Sequence, residues 1–171
     1  GNYMPDFTYG FSSQLQYKML DLTVAFQGIY GNEIANINSR YINSLESFVN
    51  NTTDALDRFY SEDDPGNGQV ARANRSQRGL NATISTYSIK DGSYLRIRDI
   101  TFGFSFPDRL ASKAGFSKIR LYLTANNPFM FTNYDAFNPQ ISQSNDPLVP
   151  GIDYGSYPLS KSYVFGLNLS L

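Results

Sequence analysis

Cysteine, histidine and tryptophan are all absent from this chain of 171 residues. Without cysteine it can form neither a disulfide nor a thiolate metal site, and without histidine it lacks the commonest general base and metal ligand. A Ser-His-Asp triad or a zinc-bound water therefore cannot be assembled from this chain alone. The acidic residues are scattered and form no recognisable acid–base pair, so we predict no catalytic set, no metal or cofactor site and no enzyme activity.

Charge and long apolar runs are also scarce. Charged residues make up 17% of the chain and the formal net charge is −1, so we expect no basic surface for nucleic acid. No apolar run approaches the roughly 18 residues of a transmembrane helix, but a transmembrane β-strand leaves no such run, because its apolar residues alternate with polar ones. The chain begins at Gly1 without Met or a signal-peptide pattern, so we expect a mature protein or a fragment.

Aromatic residues are abundant and follow a strand pattern. The chain has 13 Tyr and 13 Phe, together 15% of its residues. Near the end, "SYVFGLNLSL" puts Tyr163, Phe165 and Leu167 on one face of a strand and Val164 and Gly166 on the other. The same period of two predicts five strands, at about 6–17, 20–31, 93–106, 118–127 and 162–171.

The connections between these predicted strands alternate short, long, short, long. The long ones cover about 32–90 and 128–160. In the first, apolar residues at roughly helical spacing predict one or two short helices; they are Ile42, Leu45, Phe48, Val49, Leu56 and Phe59. Outer-membrane barrels have short periplasmic turns and long extracellular loops, so the alternation is typical of such a barrel.

Two fold classes fit the strand pattern. A soluble β-sandwich, for instance a carbohydrate-binding module, also alternates, but its outer face meets water and usually carries Lys, Glu and Thr. Here the non-apolar positions are mostly Gly, Ser, Thr, Asn and Gln, which suits a packed, hydrated barrel lumen. The pattern therefore favours the barrel and leaves the sandwich as the alternative.

Three stretches of the chain resemble a known family. "KDGSYLRIRDITFGFSFP", "KIRLYLTANNPFMFTNYDAFNPQ" and "GIDYGSYPLSKSYVFGLNLSL" are similar to the C-terminal end of the SusC/RagA family of TonB-linked outer-membrane transporters. The opening "MPDFTYGFSSQLQYKMLDLTVAFQGIYGNEIAN" resembles the stretch just upstream. Many outer-membrane proteins end in an aromatic residue, whereas this chain ends in Leu171.

The resemblance implies an architecture and a set of partners. The chain would supply the last five strands of a 22-stranded outer-membrane β-barrel, with two long extracellular loops, one partly helical, and with the plug domain absent. The whole protein would import oligosaccharides or peptides across the bacterial outer membrane. Its partners would be the rest of the barrel and plug, a SusD-like lipoprotein, TonB through the N-terminal part, and outer-membrane lipid and lipopolysaccharide.

Candidate contact residues follow from this arrangement. We expect Arg96 and Arg98 to point outward near the upper end of a strand, where they contact lipopolysaccharide phosphates or simply extend to the membrane interface. Tyr134 and Phe137 are candidates for contact with cargo or the lipoprotein. Asp99 and Arg120 would face the lumen, paired or separately solvated. Four side chains are predicted to face lipid, namely Phe102, Phe104, Phe165 and Leu167.

Overall fold

The computed structural model describes residues 1–46, 50–74, 80–81, 83–141 and 150–171. Its chain divides into two compact units. The strand unit comprises Pro5–Gly31, Gly92–Asn133 and Pro158–Leu171, and the connection unit comprises Gly1–Met4, Asn32–Asp91 and Tyr134–Tyr157. Strands are numbered β1 to β8 in chain order across both units.

The strand unit is one antiparallel sheet of five strands in the order β1-β2-β5-β6-β8. The prediction of an all-β fold with five antiparallel strands is confirmed. Four of these strands begin and end within one residue of the predicted bounds, because period-2 alternation is strong along each. The strands are β1 Phe7–Tyr17, β2 Leu20–Tyr30, β5 Tyr94–Ser105, β6 Lys118–Thr132 and β8 Ser162–Ser170.

The strand β6 continues five residues beyond its predicted end at 127. Asn127-Pro128 reads as a strand end, since proline cannot donate to the ladder. The sheet instead absorbs these two residues as a bulge, with Asn127 at φ 52. Pairing resumes between Phe129 and Ile97 and continues to Thr132. A left-handed residue before proline therefore marks an irregularity inside this strand.

A second irregularity, on β5, changes the face of the sheet on which the side chains between Tyr94 and Arg98 lie. Ala25 pairs with Asp99 but Phe26 pairs with Ile97, so Arg98 is an extra residue on β5. Because paired residues face the same side, the bulge shifts the alternation of β5 by one position above Arg98. Arg96 consequently shares the polar face with Gln27. The prediction that Arg96 points outward with the apolar side chains is wrong for this reason.

The connection unit has its own small sheet, which the sequence pattern did not predict. It contains β3 Glu33–Asn36, β4 Ile89–Asp91 and β7 Ile152–Asp153, in the order β4-β3-β7. β3 runs antiparallel to β4 and parallel to β7. Strands of two to four residues are too short for alternation to be recognised. The two long connections are thus joined to each other by backbone hydrogen bonds.

The helical elements are short. They are α1 Ser39–Ile42, α2 Asp108–Lys113 between β5 and β6, and 3₁₀ turns at Thr53–Asp57 and Thr86–Ser88. Three of the residues behind the predicted helices, Ile42, Leu45 and Leu56, lie in or near α1 and the first 3₁₀ turn, whereas Phe48 and Val49 lie outside the described residues. No helix in the described ranges has both the length and the apolar character needed to cross a membrane.

Burial differs sharply between the units. Among the described residues, the buried apolar side chains of the strand unit are Ala25, Tyr94 and Ala111. The connection unit buries a larger set, consisting of Ile34, Ile37, Leu45, Val70 and Tyr134. The five-stranded sheet therefore leaves most of its large apolar side chains uncovered.

Candidate functional site

One face of the five-stranded sheet is a continuous apolar surface. The register aligns Phe102 with Leu123 and Phe165 in one row, and Phe104 with Leu121 and Leu167 in the next. Phe165 is 71% exposed and Phe102 is 47% exposed. The four side chains predicted to face lipid, Phe102, Phe104, Phe165 and Leu167, all lie on this face. An apolar surface of this extent marks contact with a membrane or another protein.

Aromatic side chains continue this face toward β1. Phe11 and Phe26 are paired across β1 and β2, with ring centroids 6.2 Å apart. Phe7 and Tyr30 stack at 5.3 Å at the end of the hairpin. Tyr9 faces the same side. Rows of aromatic side chains at strand ends resemble the girdles found where barrels meet the membrane interface.

The opposite face is polar and mostly uncharged. Hydroxyl and amide side chains dominate it, and Thr101 and Thr124 share a hydrogen bond of 2.9 Å across β5 and β6. Arg96 is buried here and donates to Oε1 of Gln27 at 2.6 Å. The position of Arg96 therefore does not allow the outward contact with lipopolysaccharide that the sequence suggested. Arg98 is exposed, and its Nε lies 3.5 Å from Oδ2 of Asp99.

An ion pair spans three strands of the polar face. Nε and a terminal nitrogen of Arg120 on β6 donate to the two carboxylate oxygens of Asp21 on β2, at 3.1 and 2.5 Å. To reach Asp21 the guanidinium passes over Gly103 on β5, where a Cβ would overlap both charged groups. Because glycine has no Cβ, the Arg120 side chain can cross β5 and reach Asp21. The sequence left open whether Arg120 pairs with Asp99. In the structure Arg120 pairs with Asp21 instead.

Two further glycines lie beneath tyrosine rings on neighbouring strands. Tyr122 covers Gly166 on the polar face, and Tyr9 covers Gly28 on the apolar face. Glycine in a strand leaves backbone uncovered, and an aromatic ring from the paired position restores that cover. The Tyr9 hydroxyl also donates to the backbone oxygen of Tyr94 at 3.4 Å.

The connection unit is organised around a buried carboxylate. Asp153 is 1% exposed, and its Oδ2 accepts from the Tyr134 hydroxyl at 2.6 Å. Its Oδ1 accepts from the N–H groups of Gly155 and Ser156 at 2.8 and 2.6 Å. The Asp153 backbone oxygen accepts from the Ile37 N–H at 2.9 Å. One residue therefore ties the second long connection to the first.

These contacts shift both ionisable groups. Burial alone would raise the pKa of Asp153, but the donors from Tyr134, Ser156 and Gly155 outweigh burial and hold that pKa below its usual value. Burial, with the adjacent carboxylate, raises the pKa of Tyr134 far above its usual value. Tyr134 is 5% exposed. The prediction that Tyr134 contacts cargo or a partner is therefore corrected, because its ring is buried and its hydroxyl holds Asp153.

Exposed aromatic side chains remain elsewhere in the connection unit. Phe137 is 67% exposed, so its side chain is accessible as the sequence prediction required. Tyr154 and Tyr157 are 65% and 85% exposed. The proline after Tyr157 was the available signal that this stretch is irregular and accessible. Within the described ranges, no three acidic side chains come together as a possible metal site.

Comparisons with known proteins agree with this geometry. No protein-family profile matches the chain. A TonB-dependent receptor of Formosa agariphila is 33% identical to it over 99% of the chain and 17% of that receptor. The TonB-dependent receptor SusC of Bacteroides thetaiotaomicron is 26% identical over 96% of the chain and 15% of that receptor.

Solved structures give the same picture. The RagAB peptide importer in its closed-closed state matches with a TM-score of 0.77 and 25% identity, over 98% of this chain and 17% of the matched chain. Its open-open state matches with a TM-score of 0.76 over 99% of this chain. The chain spans between 15% and 17% of the length of these relatives. By sequence and by fold, the chain is similar over nearly its whole length to TonB-dependent receptors, SusC among them, and to the RagAB peptide importer.

Proposed function

We propose that this chain is the C-terminal, five-stranded part of a 22-stranded outer-membrane β-barrel in a TonB-dependent nutrient importer. The observation that carries the proposal is the asymmetry of the sheet. One face presents exposed Phe and Leu side chains on all five strands, and the other presents small polar groups with Arg120 paired to Asp21. Lipid on one side and a hydrated lumen on the other would satisfy both faces.

The cargo class is proposed from the family. The RagAB structures are of a peptide importer, and the resemblance to the SusC/RagA family implies oligosaccharides or peptides, so these two classes are the proposed cargo. The lumen face would contact the plug and passing cargo. Phe137 is the proposed contact with cargo or with a SusD-like lipoprotein, and Arg98 is the proposed contact with lipopolysaccharide. TonB would act through a part of the receptor outside this chain.

The soluble β-sandwich is the second candidate, and the structure gives it less support. In a sandwich the apolar face would pack on a second sheet and be buried. Phe165, Phe102 and Leu167 are instead 71%, 47% and 52% exposed.

Fractionation of the full-length receptor separates the two candidates. The receptor should sediment with outer membranes, resist extraction by alkaline carbonate and dissolve only in detergent. Cells lacking it should lose uptake of one class of fluorescently labelled oligosaccharide or peptide. Release of the receptor by carbonate would contradict the membrane-spanning sheet. Membrane retention with unchanged uptake of both cargo classes would contradict the transport proposal alone.

A further inference from the structure

Asn67-Gly68 is the only Asn-Gly pair in the sequence. It lies in the exposed loop "DDPGNGQV" of the connection unit, with Gly66 and Gly68 at φ 63 and 72. The loop is held at both ends: the Asn67 N–H donates to the Asp57 oxygen at 3.1 Å, and the Phe59 N–H donates to the Val70 oxygen at 3.1 Å. The Asn67 side chain therefore occupies a defined place in an otherwise irregular segment.

Two backbone donors converge on the Asn67 side-chain carbonyl. Its Oδ1 accepts from the N–H of Gln69 at 2.8 Å and from the N–H of Val70 at 3.1 Å. Two such donors at this range form the arrangement that stabilises an oxyanion in acyl-transfer sites. They polarise the amide carbon Cγ and would stabilise the negative charge that appears on Oδ1 when a nucleophile adds.

A nucleophile lies next to that carbon in the chain. The Gly68 nitrogen bonds to no acceptor within the part of the chain that the structure describes. Apart from its two chain neighbours, no described atom lies within 4 Å of where a Gly68 Cβ would be, so the surroundings of Gly68 are open on that side. Attack from the following residue is intramolecular, which removes most of the entropic barrier to the reaction.

We propose that Asn67 is a site of self-catalysed deamidation that the fold accelerates. A base removes the Gly68 amide proton, the nitrogen bonds to Cγ of Asn67, and Oδ1 carries the negative charge between the two donors. The Cγ–Nδ2 bond then breaks and ammonia leaves with a proton from water, giving a cyclic succinimide. Water opens the ring to aspartate or isoaspartate. Asparagine and one water thus become an acid and one ammonia, with no change of oxidation state.

The product changes the charge of a segment that is already acidic. Glu62, Asp63 and Asp64 precede the site and are exposed. Aspartate at 67 would keep both backbone donors, now to a charged acceptor, so the loop geometry should persist. Isoaspartate adds one carbon to the main chain between the Asp57 and Val70 attachments and would break the bridge between Arg58 and Val70.

The test compares the folded receptor with an unfolded peptide. Full-length receptor purified in detergent is incubated at neutral pH, digested and analysed by mass spectrometry, beside a synthetic peptide of residues 57–72. A single oxyanion donor contributes about 10²–10³ in an enzyme site, so we expect Asn67 to deamidate at least about tenfold faster in the receptor than in the peptide. An equal or slower rate in the receptor would overturn the proposal, because the hydrogen bonds would then be protective or irrelevant.

A pair of variants tests the donor itself. Gln69→Pro removes one of the two N–H groups on Oδ1, whereas Gln69→Ala keeps it and changes only the exposed side chain. Relative to peptides carrying the same substitution, the alanine receptor should retain the acceleration and the proline receptor should lose most of it. Equal acceleration in both variants would show that the donors do not act, and would contradict the mechanism.

Discussion

At the scale of single residues, the buried charged groups lie where backbone or side-chain groups form hydrogen bonds with them. Asp153 is almost fully buried, yet its two carboxylate oxygens accept from three donors. A buried carboxylate without such donors would cost several kcal/mol. The sequence could not reveal this role, because Tyr134 and Asp153 are 19 residues apart and only the folded connection brings them together.

The Tyr134 hydroxyl should stabilise the connection unit. Tyr134→Phe leaves Oδ2 of Asp153 without that donor, so we expect a loss of about 1–3 kcal/mol in local opening free energy. Hydrogen exchange at the Ile37 and Gly155 amides in the full-length receptor measures it. Tyr157→Phe, at a tyrosine that is 85% exposed, is the matched control and should change nothing. If these amides are equally protected from hydrogen exchange in both variants, the Tyr134 hydroxyl does not stabilise the connection unit.

Acid should loosen the same unit. The folded pKa of Asp153 lies below its usual value, so its ionisation contributes stability that is fully present above the unfolded pKa of about 3.9 and is lost as pH falls through the folded pKa. Limited proteolysis of the connection unit should therefore accelerate below about pH 4. Asp153→Asn removes the titration, so its proteolysis should depend less on pH. A wild-type rate that stays flat through this range would count against the assignment.

Gly103 should contribute to stability because the Arg120 guanidinium passes directly over it. A Cβ there would displace the Arg120–Asp21 pair, so Gly103→Ala should cost about 1.5–3 kcal/mol, the range for hydrogen bonds between charged groups. The midpoint temperature for loss of heat-modifiable gel mobility of the receptor reports it. Gly10→Ala on the same face is the control, since its Cβ would meet only the Phe26 oxygen, at 3.6 Å. Similar midpoints for the two variants would contradict the clamp.

At the scale of elements, the five long strands could be predicted from alternation, but their irregularities could not. Arg98 interrupts the pattern of β5 and moves Arg96 to the polar face, where it bonds Gln27. In "YLRIRDI", Leu95 and Ile97 are out of step with Ile100, which signals a break in the alternation, but the pattern alone does not say which residue is the extra one. The short strands β3, β4 and β7 depend on pairing between distant segments, which local periodicity does not encode.

The register of β8 can be tested with two neighbouring residues. Phe165 lies on the apolar face opposite Leu123, and Val164 lies on the polar face opposite Thr124. An arginine on the lipid face near the bilayer midplane costs about 2–4 kcal/mol, whereas one on the lumen face avoids that desolvation. Phe165→Arg should therefore reduce the receptor recovered from outer membranes, and Val164→Arg should leave its abundance near normal. The reverse order would exchange the two faces.

Val164 is a better control than its neighbour Gly166, although both lie on the polar face. The Tyr122 ring covers Gly166, so an arginine there would have to displace the ring before it reached the lumen. A defect at Gly166 would then mix crowding with exposure. Val164 is 45% exposed and has room for a longer side chain.

At the scale of the whole molecule, strand order determines where the connections leave the sheet. β2 pairs antiparallel with β5, and β6 pairs antiparallel with β8. The two long connections therefore start from one end of the sheet, and the two short ones start from the other. In the proposed barrel these two ends would lie in different compartments, with the longer connections outside the cell.

Single cysteines test this orientation in a receptor that is otherwise free of cysteine, as this chain already is. Tyr157→Cys in the second long connection should react with an impermeant maleimide on intact cells. Lys113→Cys, at the end of α2 in a short connection, should react only after the outer membrane is permeabilised. Both substitutions replace residues classed as exposed, so the difference between them reports the compartment rather than burial. Labelling of both on intact cells would mean that the sheet does not cross the membrane. The opposite pattern would mean that the sheet crosses in the other direction, with the two long connections inside the outer membrane and the apolar face still in contact with lipid.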